Sequence, residues 1–162
     1  MRYFLIDKID ILEVGESIVA TKCVALSEDV FSFHFVGRPV MPGALLIESL
    51  AQAGTALVEY TEQIQKKAIL VMVERAKFRA IVQPGEKLRI EARIVRRDRD
   101  LVKMEGQIKV GDRAVVDATL VFALADADEF YPEHLRHLVK AGYDNLLRDA
   151  EIRVPDGKGD GE

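Results

Sequence analysis

Gly43-Ala44-Leu45-Leu46-Ile47-Glu48-Ser49-Leu50-Ala51-Gln52-Ala53-Gly54-Thr55-Ala56-Leu57-Val58 is the stretch that decides the architecture of this chain. Leu45, Leu46, Leu50, Ala53, Leu57 and Val58 recur at helical spacing, and Ala51, Gly54 and Ala56 keep the other faces small or apolar. A helix that is apolar nearly all round is a buried one. The pattern predicts a helix from Gly43 to about Gln65, opened by the Pro42-Gly43 step. Its far end, Glu59 to Lys67, turns polar and is expected to reach solvent.

The flanking sequence supplies what wraps such a helix. Ile18 to Leu26 has strand character, and Cys23 falls in that apolar alternation, which reads as a small buried hydrophobe. Beyond the helix, Ala68 to Val73 is a continuous apolar run that passes into alternating Arg75-Ala76-Lys77-Phe78-Arg79. Leu88, Ile90, Ala92 and Ile94 alternate with charged residues, as do Val102, Met104, Gly106, Ile108 and Val110. Pro84-Gly85-Glu86, Arg97 to Asp100 and Gly111-Asp112 are the turns, and Ala114 to Leu124 gives a last strand. One long buried helix and an antiparallel meander predict an α+β fold with the sheet wrapped around the helix. Such a sheet leaves an edge that a second copy of the chain can cover.

The length of 162 residues suits one domain with a real core. The net charge is 23 − 27 = −4, which argues against a nucleic-acid binder. The single cysteine excludes an internal disulfide and a multi-cysteine zinc site, and no metal site is expected. No run approaches the ~20 apolar residues of a membrane span, and the short apolar N-terminus is interrupted by Asp7, so the cytoplasm is the expected compartment. The core domain is expected over 1–125. Pro132 to Ala150 has an amphipathic helical rhythm, read as an extension (126–150) lying on the domain, and 151–162 reads as a flexible tail.

The candidate chemistry sits just before the helix and inside its first turns. His34 lies in the loop Phe33-His34-Phe35-Val36-Gly37-Arg38-Pro39-Val40-Met41-Pro42, and Glu48 lies 48 − 34 = 14 residues later. Pro39 and Pro42 stiffen the loop, and Gly43 lets backbone approach a ligand closely. Imidazole and carboxylic acid serve general acid/base chemistry, and the free amides at a helix start suit an oxygen gaining negative charge. Gln52, one turn after Glu48, can hydrogen-bond it. A lone histidine among aromatics is more often a packed one, and Glu48 has a bland reading as a paired surface carboxylate. Arg38, Arg75, Lys77 and Arg79 are either ordinary solvated charge or a basic rim for an acidic, phosphate-bearing carrier.

The segment His34 to Gln52 resembles the active-site motif of the hotdog-fold 3-hydroxyacyl-[acyl-carrier-protein] dehydratases, of the FabZ type with some FabA-like features. Similarity continues through Lys77-Phe78-Arg79 and Pro84-Gly85-Glu86 to Phe122-Ala123-Leu124. The resemblance implies dehydration of (3R)-3-hydroxyacyl thioesters to trans-2-enoyl thioesters, in fatty-acid or related lipid synthesis, without a metal or redox cofactor. It makes His34 the base and Glu48, in an apolar setting, the acid. It gives the Gly43 N–H to the thioester carbonyl, with Pro42 and Gln52 in support and Phe33, Phe35 and Leu45 along the substrate tunnel. It also implies acyl carrier protein as partner and a homodimer, often assembled as trimers of dimers, in which the histidine and the acid of one site come from opposite subunits. Phe33 and Val36 depart from the usual FabZ pattern, and glutamate at position 48 is the FabZ choice, so double-bond isomerisation is not expected. A hotdog thioesterase and a non-catalytic acyl-binding module are the alternatives that share the fold.

Overall fold

The computed structural model of the chain describes residues 4–35 and 37–155. In chain order the elements are β1 (Lys8–Glu13), β2 (Ser17–Cys23), a 3-10 turn (Asp29–Ser32), α1 (Gly43–Thr61), β3 (Lys66–Phe78), β4 (Lys87–Arg97), β5 (Leu101–Val110) and β6 (Arg113–Asp126). Two further 3-10 turns (Ala127–Glu129, Glu133–Leu135) lead into α2 (Arg136–Leu146) and β7 (Glu151–Arg153). One sheet runs in the order β3-β6-β5-β4-β2-β1-β7. Every pairing is antiparallel except that of β7, which joins β1 in parallel.

α1 packs across the strands β2 to β6, and the sheet is built to let it come close. Ala92, Gly106, Ala118 and Ala76 are successive register partners, so one row across β4, β5, β6 and β3 carries only small side chains. A Cβ on Gly106 would stand 2.6 Å from Leu50 Cδ2, and one on Gly54 would stand 2.9 Å from Met104 Sδ. Leu50, Leu57, Ile90, Met104 and Phe122 fill the space between helix and sheet and are fully buried. Gly106→Ala is therefore expected to lose about 1–2 kcal/mol, because overpacking at Leu50 exceeds the gain from a stiffer unfolded chain. Urea denaturation of the variant measures it, and an unchanged midpoint would contradict this packing.

The helix stops at Thr61, one turn short of the expected end. Gln63 N–H donates to Tyr60 O and Ile64 N–H to Glu59 O, and both Gln63 and Ile64 have left-handed φ of 52° and 62°. This is the reversal that commonly closes helices, usually with glycine at its turning point. Here glutamine occupies that position, so the sequence carries no stop signal. The reversal brings β3 back beside the helix end, and Glu59, expected in solvent, is fully buried there.

Other expectations are corrected as well. Cys23 is exposed: Ile18 and Ala20 set the inward parity of β2, and Cys23 falls on the opposite one. β2 also ends at Cys23 rather than at Leu26. β1 escaped the period-two reading because a register shift between Ile9 and Ile11 puts the buried residues Ile9 and Leu12 three apart. At the C-terminus, Glu151–Arg153 is a strand where a flexible tail is expected. Arg153 Nη1 reaches Glu13 at 2.8 Å and its carbonyl accepts from Val14 N–H. Residues 1–3, Val36 and the tail residues 156–162 lie outside the described residues.

Candidate active site

His34 lies two residues beyond the 3-10 turn, and its own backbone closes the loop. Its N–H donates to Val30 O at 3.2 Å, and its carbonyl accepts from Val40 N–H at 3.0 Å. The ring Nδ1 stands 2.8 Å from Val40 O. A carbonyl only accepts, so Nδ1 carries the proton and Nε2 of the neutral ring presents its lone pair, the arrangement a general base needs. The Phe35 ring packs on the imidazole, centroids 4.3 Å apart, and the histidine is half-buried.

Val40 leads through Met41, whose N–H donates to Val82 O, to Pro42 at the cap of α1. Leu45 and Leu46 both donate to Pro42 O, which leaves the amides of Gly43 and Ala44 ahead of the first helical bond. Proline has no side-chain acceptor to offer them. Gly43 is also required by shape, since a Cβ there would stand 2.8 Å from the Phe78 ring.

Glu48 lies one and a half turns further on. It is exposed in the single chain, not enclosed by apolar groups as expected. Gln52 Nε2 donates to Glu48 Oε1 at 3.0 Å, and Leu5 N–H donates to Gln52 Oε1 at 2.8 Å. The Leu5 bond fixes which way the Gln52 amide points, and so aims its NH2 at the carboxylate. His34 and Glu48 thus have separate hydrogen-bond partners within one chain.

A cavity of about 880 Å³ opens beside Glu48. Glu48, Gln52 and Thr55 form its α1 side, with Ala68, Ile69 and Leu70 of β3, Phe4 and Ile6, and the inner face of α2 around them. Phe33, Phe35 and Leu45 lie away from this lining: Phe33 and Phe35 are 84% and 60% exposed, and Leu45 is half-buried. Glu59 closes the same helix seam. Its carboxylate accepts from the Tyr143 hydroxyl at 2.5 Å and Ala68 N–H at 3.3 Å, and pairs with Lys67 Nζ at 2.6 Å. Burial opposes the Lys67 charge, but its bonds to Glu59 and Tyr131 hold its pKa above the ordinary value. Burial and then the Glu59 carboxylate push the Tyr143 phenol up, so it stays a donor. The signal for this cluster was present: Glu48, Gln52, Thr55 and Glu59 fall at i, i+4, i+7 and i+11, a polar seam on an otherwise apolar helix.

The candidate basic rim is divided. Arg75 and Arg79 line a shallow depression of about 660 Å³ on the sheet face away from α1, together with Glu91, Glu105, Gln107 and Asp117. Arg79 pairs with Asp117, and the Gln107 amide followed by the Arg79 guanidinium hold that carboxyl below its ordinary value. Lys77 and Arg38 are exposed. Among the described residues no group of three or more His, Cys, Asp or Glu could hold a metal ion, and no helix is long and apolar enough to cross a membrane.

Residues 1–119 match a FabA-like domain. The chain is 44% identical over 124 residues to the 3-hydroxyacyl-[acyl-carrier-protein] dehydratase FabZ of Pediococcus pentosaceus, covering 76% of this chain and 83% of that protein. It is 40% identical over 126 residues to FabZ of Symbiobacterium thermophilum, covering 77% and 89%. Among solved structures, acetyl-CoA-bound smu.793 of Streptococcus mutans UA159 superposes with a TM-score of 0.62 at 16% identity, over 78% of this chain and 94% of that one. The dehydratase heterocomplex ApeI:P of Xenorhabdus doucetiae gives 0.53 at 16% identity, over 68% and 89%. At such identity the solved structures share the fold alone.

Proposed function

The chain belongs to the FabA-like family, among its FabZ-type members, and on that premise we propose that it dehydrates (3R)-3-hydroxyacyl thioesters of acyl carrier protein to trans-2-enoyl thioesters. The observation that carries this reading is the His34 imidazole, tied at Nδ1 to Val40 O and so basic at Nε2, just ahead of the bare amides that open α1. His34 Nε2 takes the C2 proton while the Gly43 N–H and the positive end of α1 stabilise the enolate-like oxygen. Glu48 gives its proton to the departing 3-hydroxyl. The C2–H and C3–O bonds break, the C2–C3 double bond forms, and water leaves. Proton transfer from imidazolium to carboxylate then resets the site. Gln52 positions the acid, and Pro42 positions the amides.

His34 of one protomer works with Glu48 of its partner. A homodimer is supported by β3, a 13-residue edge strand on which Val71, Met72 and Val73 are exposed. A long apolar edge strand is a template for pairing with another copy. In that dimer Glu48 becomes enclosed, and Phe33, Phe35 and Leu45 border the substrate path between subunits. Arg38, Arg75 and Lys77 meet the carrier's phosphate and acidic face, with Arg79 contributing less because Asp117 already neutralises it. The setting is the cytoplasm, where carrier-bound acyl chains are made.

Separate incubations with acyl and (3R)-3-hydroxyacyl thioesters test the reaction class. Enoyl absorbance growing only from the hydroxyacyl substrate is the expected result. Release of free thiol without enoyl formation would replace the dehydratase by a thioesterase.

A further inference from the structure

The cavity beside Glu48 has a wall that the family match does not reach. That match ends at residue 119, and α2 begins at Arg136. Leu138, Val139, Gly142, Tyr143 and Leu146 nevertheless line the cavity. Leu138, Gly142 and Leu146 are spaced by four, and Val139 and Tyr143 by four beside them, so the lining is one continuous helix face. The docking of that face is specific. Tyr143 donates to the fully buried Glu59, which Lys67 neutralises, so α2 supplies a hydrogen bond that a buried carboxylate needs.

We infer that α2 is the acyl-chain wall of this enzyme and sets the length of tail it accepts. The inference rests on the dehydratase reading and adds to it the residues that select the substrate. The occupant is the substrate's alkyl tail. Glu48 and Gln52 contribute polar groups from α1, Lys67 adds a charge already paired with Glu59, and Ile6, Ile69, Leu70, Leu138, Val139 and Leu146 give aliphatic walls. The volume of about 880 Å³ lies within the range of small-molecule sites. From Glu48 to Thr55 the α1 seam alone runs roughly 10 Å at the rise of a helix, a length along which an extended tail can lie.

Gly142 is the position that gives α2 room. It stands between Leu138 and Leu146 on the lining face, and a Cβ there meets no atom within 4 Å. The test is the series Gly142→Ala, Gly142→Val and Gly142→Leu in the full chain. Each is assayed with (3R)-3-hydroxybutyryl-, (3R)-3-hydroxyoctanoyl- and (3R)-3-hydroxyhexadecanoyl-acyl carrier protein. Replacing glycine inside a helix favours the helix, so melting temperatures are expected to hold or rise. The ratio of long-chain to short-chain kcat/KM is expected to fall step by step with side-chain size, by about tenfold or more for leucine. Folded variants with an unchanged ratio would overturn the inference while leaving the dehydratase reading in place. A parental enzyme that forms no enoyl product from any of the three substrates would overturn both.

Discussion

His34→Ala is expected to lower kcat/KM for dehydration by about 10²–10⁴-fold, the usual contribution of a positioned acid or base. Alanine gives up the Nδ1 bond to Val40 O and the Phe35 contact with the base, but it keeps the backbone bonds between His34, Val30 and Val40 that hold the loop. Glu48→Gln is expected to cost a similar factor. Glutamine keeps the shape and the acceptor for Gln52 Nε2 but has no proton to give the leaving hydroxyl. Because glutamine keeps the size of Glu48 and the bond from Gln52, the replacement should leave the thermal transition close to the parental one. Single-turnover assays beside calorimetry separate chemistry from folding. Either variant working at the parental rate would remove that residue from the mechanism.

Glu59→Leu is expected to be the most damaging substitution for stability. Removing one member of a buried ion pair costs about 3–5 kcal/mol, and the partial exposure of Lys67, 23% for its side chain, lowers that to about 2–3 kcal/mol. In a chain of this size the melting temperature should fall by roughly 5–10 °C. The damage should be local in a telling way: amide exchange across α2 should rise first, because Tyr143 loses its acceptor. Tyr143→Phe alone should cost about 1.5–3 kcal/mol, the range for a hydrogen bond to a charged group. Combined with Glu59→Leu it should add little, since both break one contact. Fully additive losses would mean that Glu59 does not hold α2.

Much of this could be read directly from the chain, and the exceptions have physical causes. The core helix and β4 to β6 announce themselves through clean periodicity, β3 through an apolar run that passes into alternation, and the His34-to-Gln52 segment carries enough spaced chemistry to name a family. β1 was hidden by a bulge, which breaks the period on which a strand is recognised. β7 is three exposed residues whose existence depends on pairing with β1, a partner almost the whole chain away. The end of α1 was hidden because glutamine occupies a left-handed position that glycine usually marks. Glu59 was misread because its partners, Lys67 and Tyr143, come from other elements. Glu48 is exposed in the single chain, and on the proposed dimer its enclosure would depend on a second subunit, which no pattern within one sequence displays.

Mixing the two inactive variants tests most directly whether the active centre is shared. In a mixed dimer of His34→Ala and Glu48→Gln subunits, one composite site keeps both an intact imidazole and an intact carboxyl group, while the other lacks both. Random reassortment should therefore restore dehydration to about a quarter of the parental rate. A reassorted mixture no more active than either variant by itself would place both groups within one subunit and contradict the account.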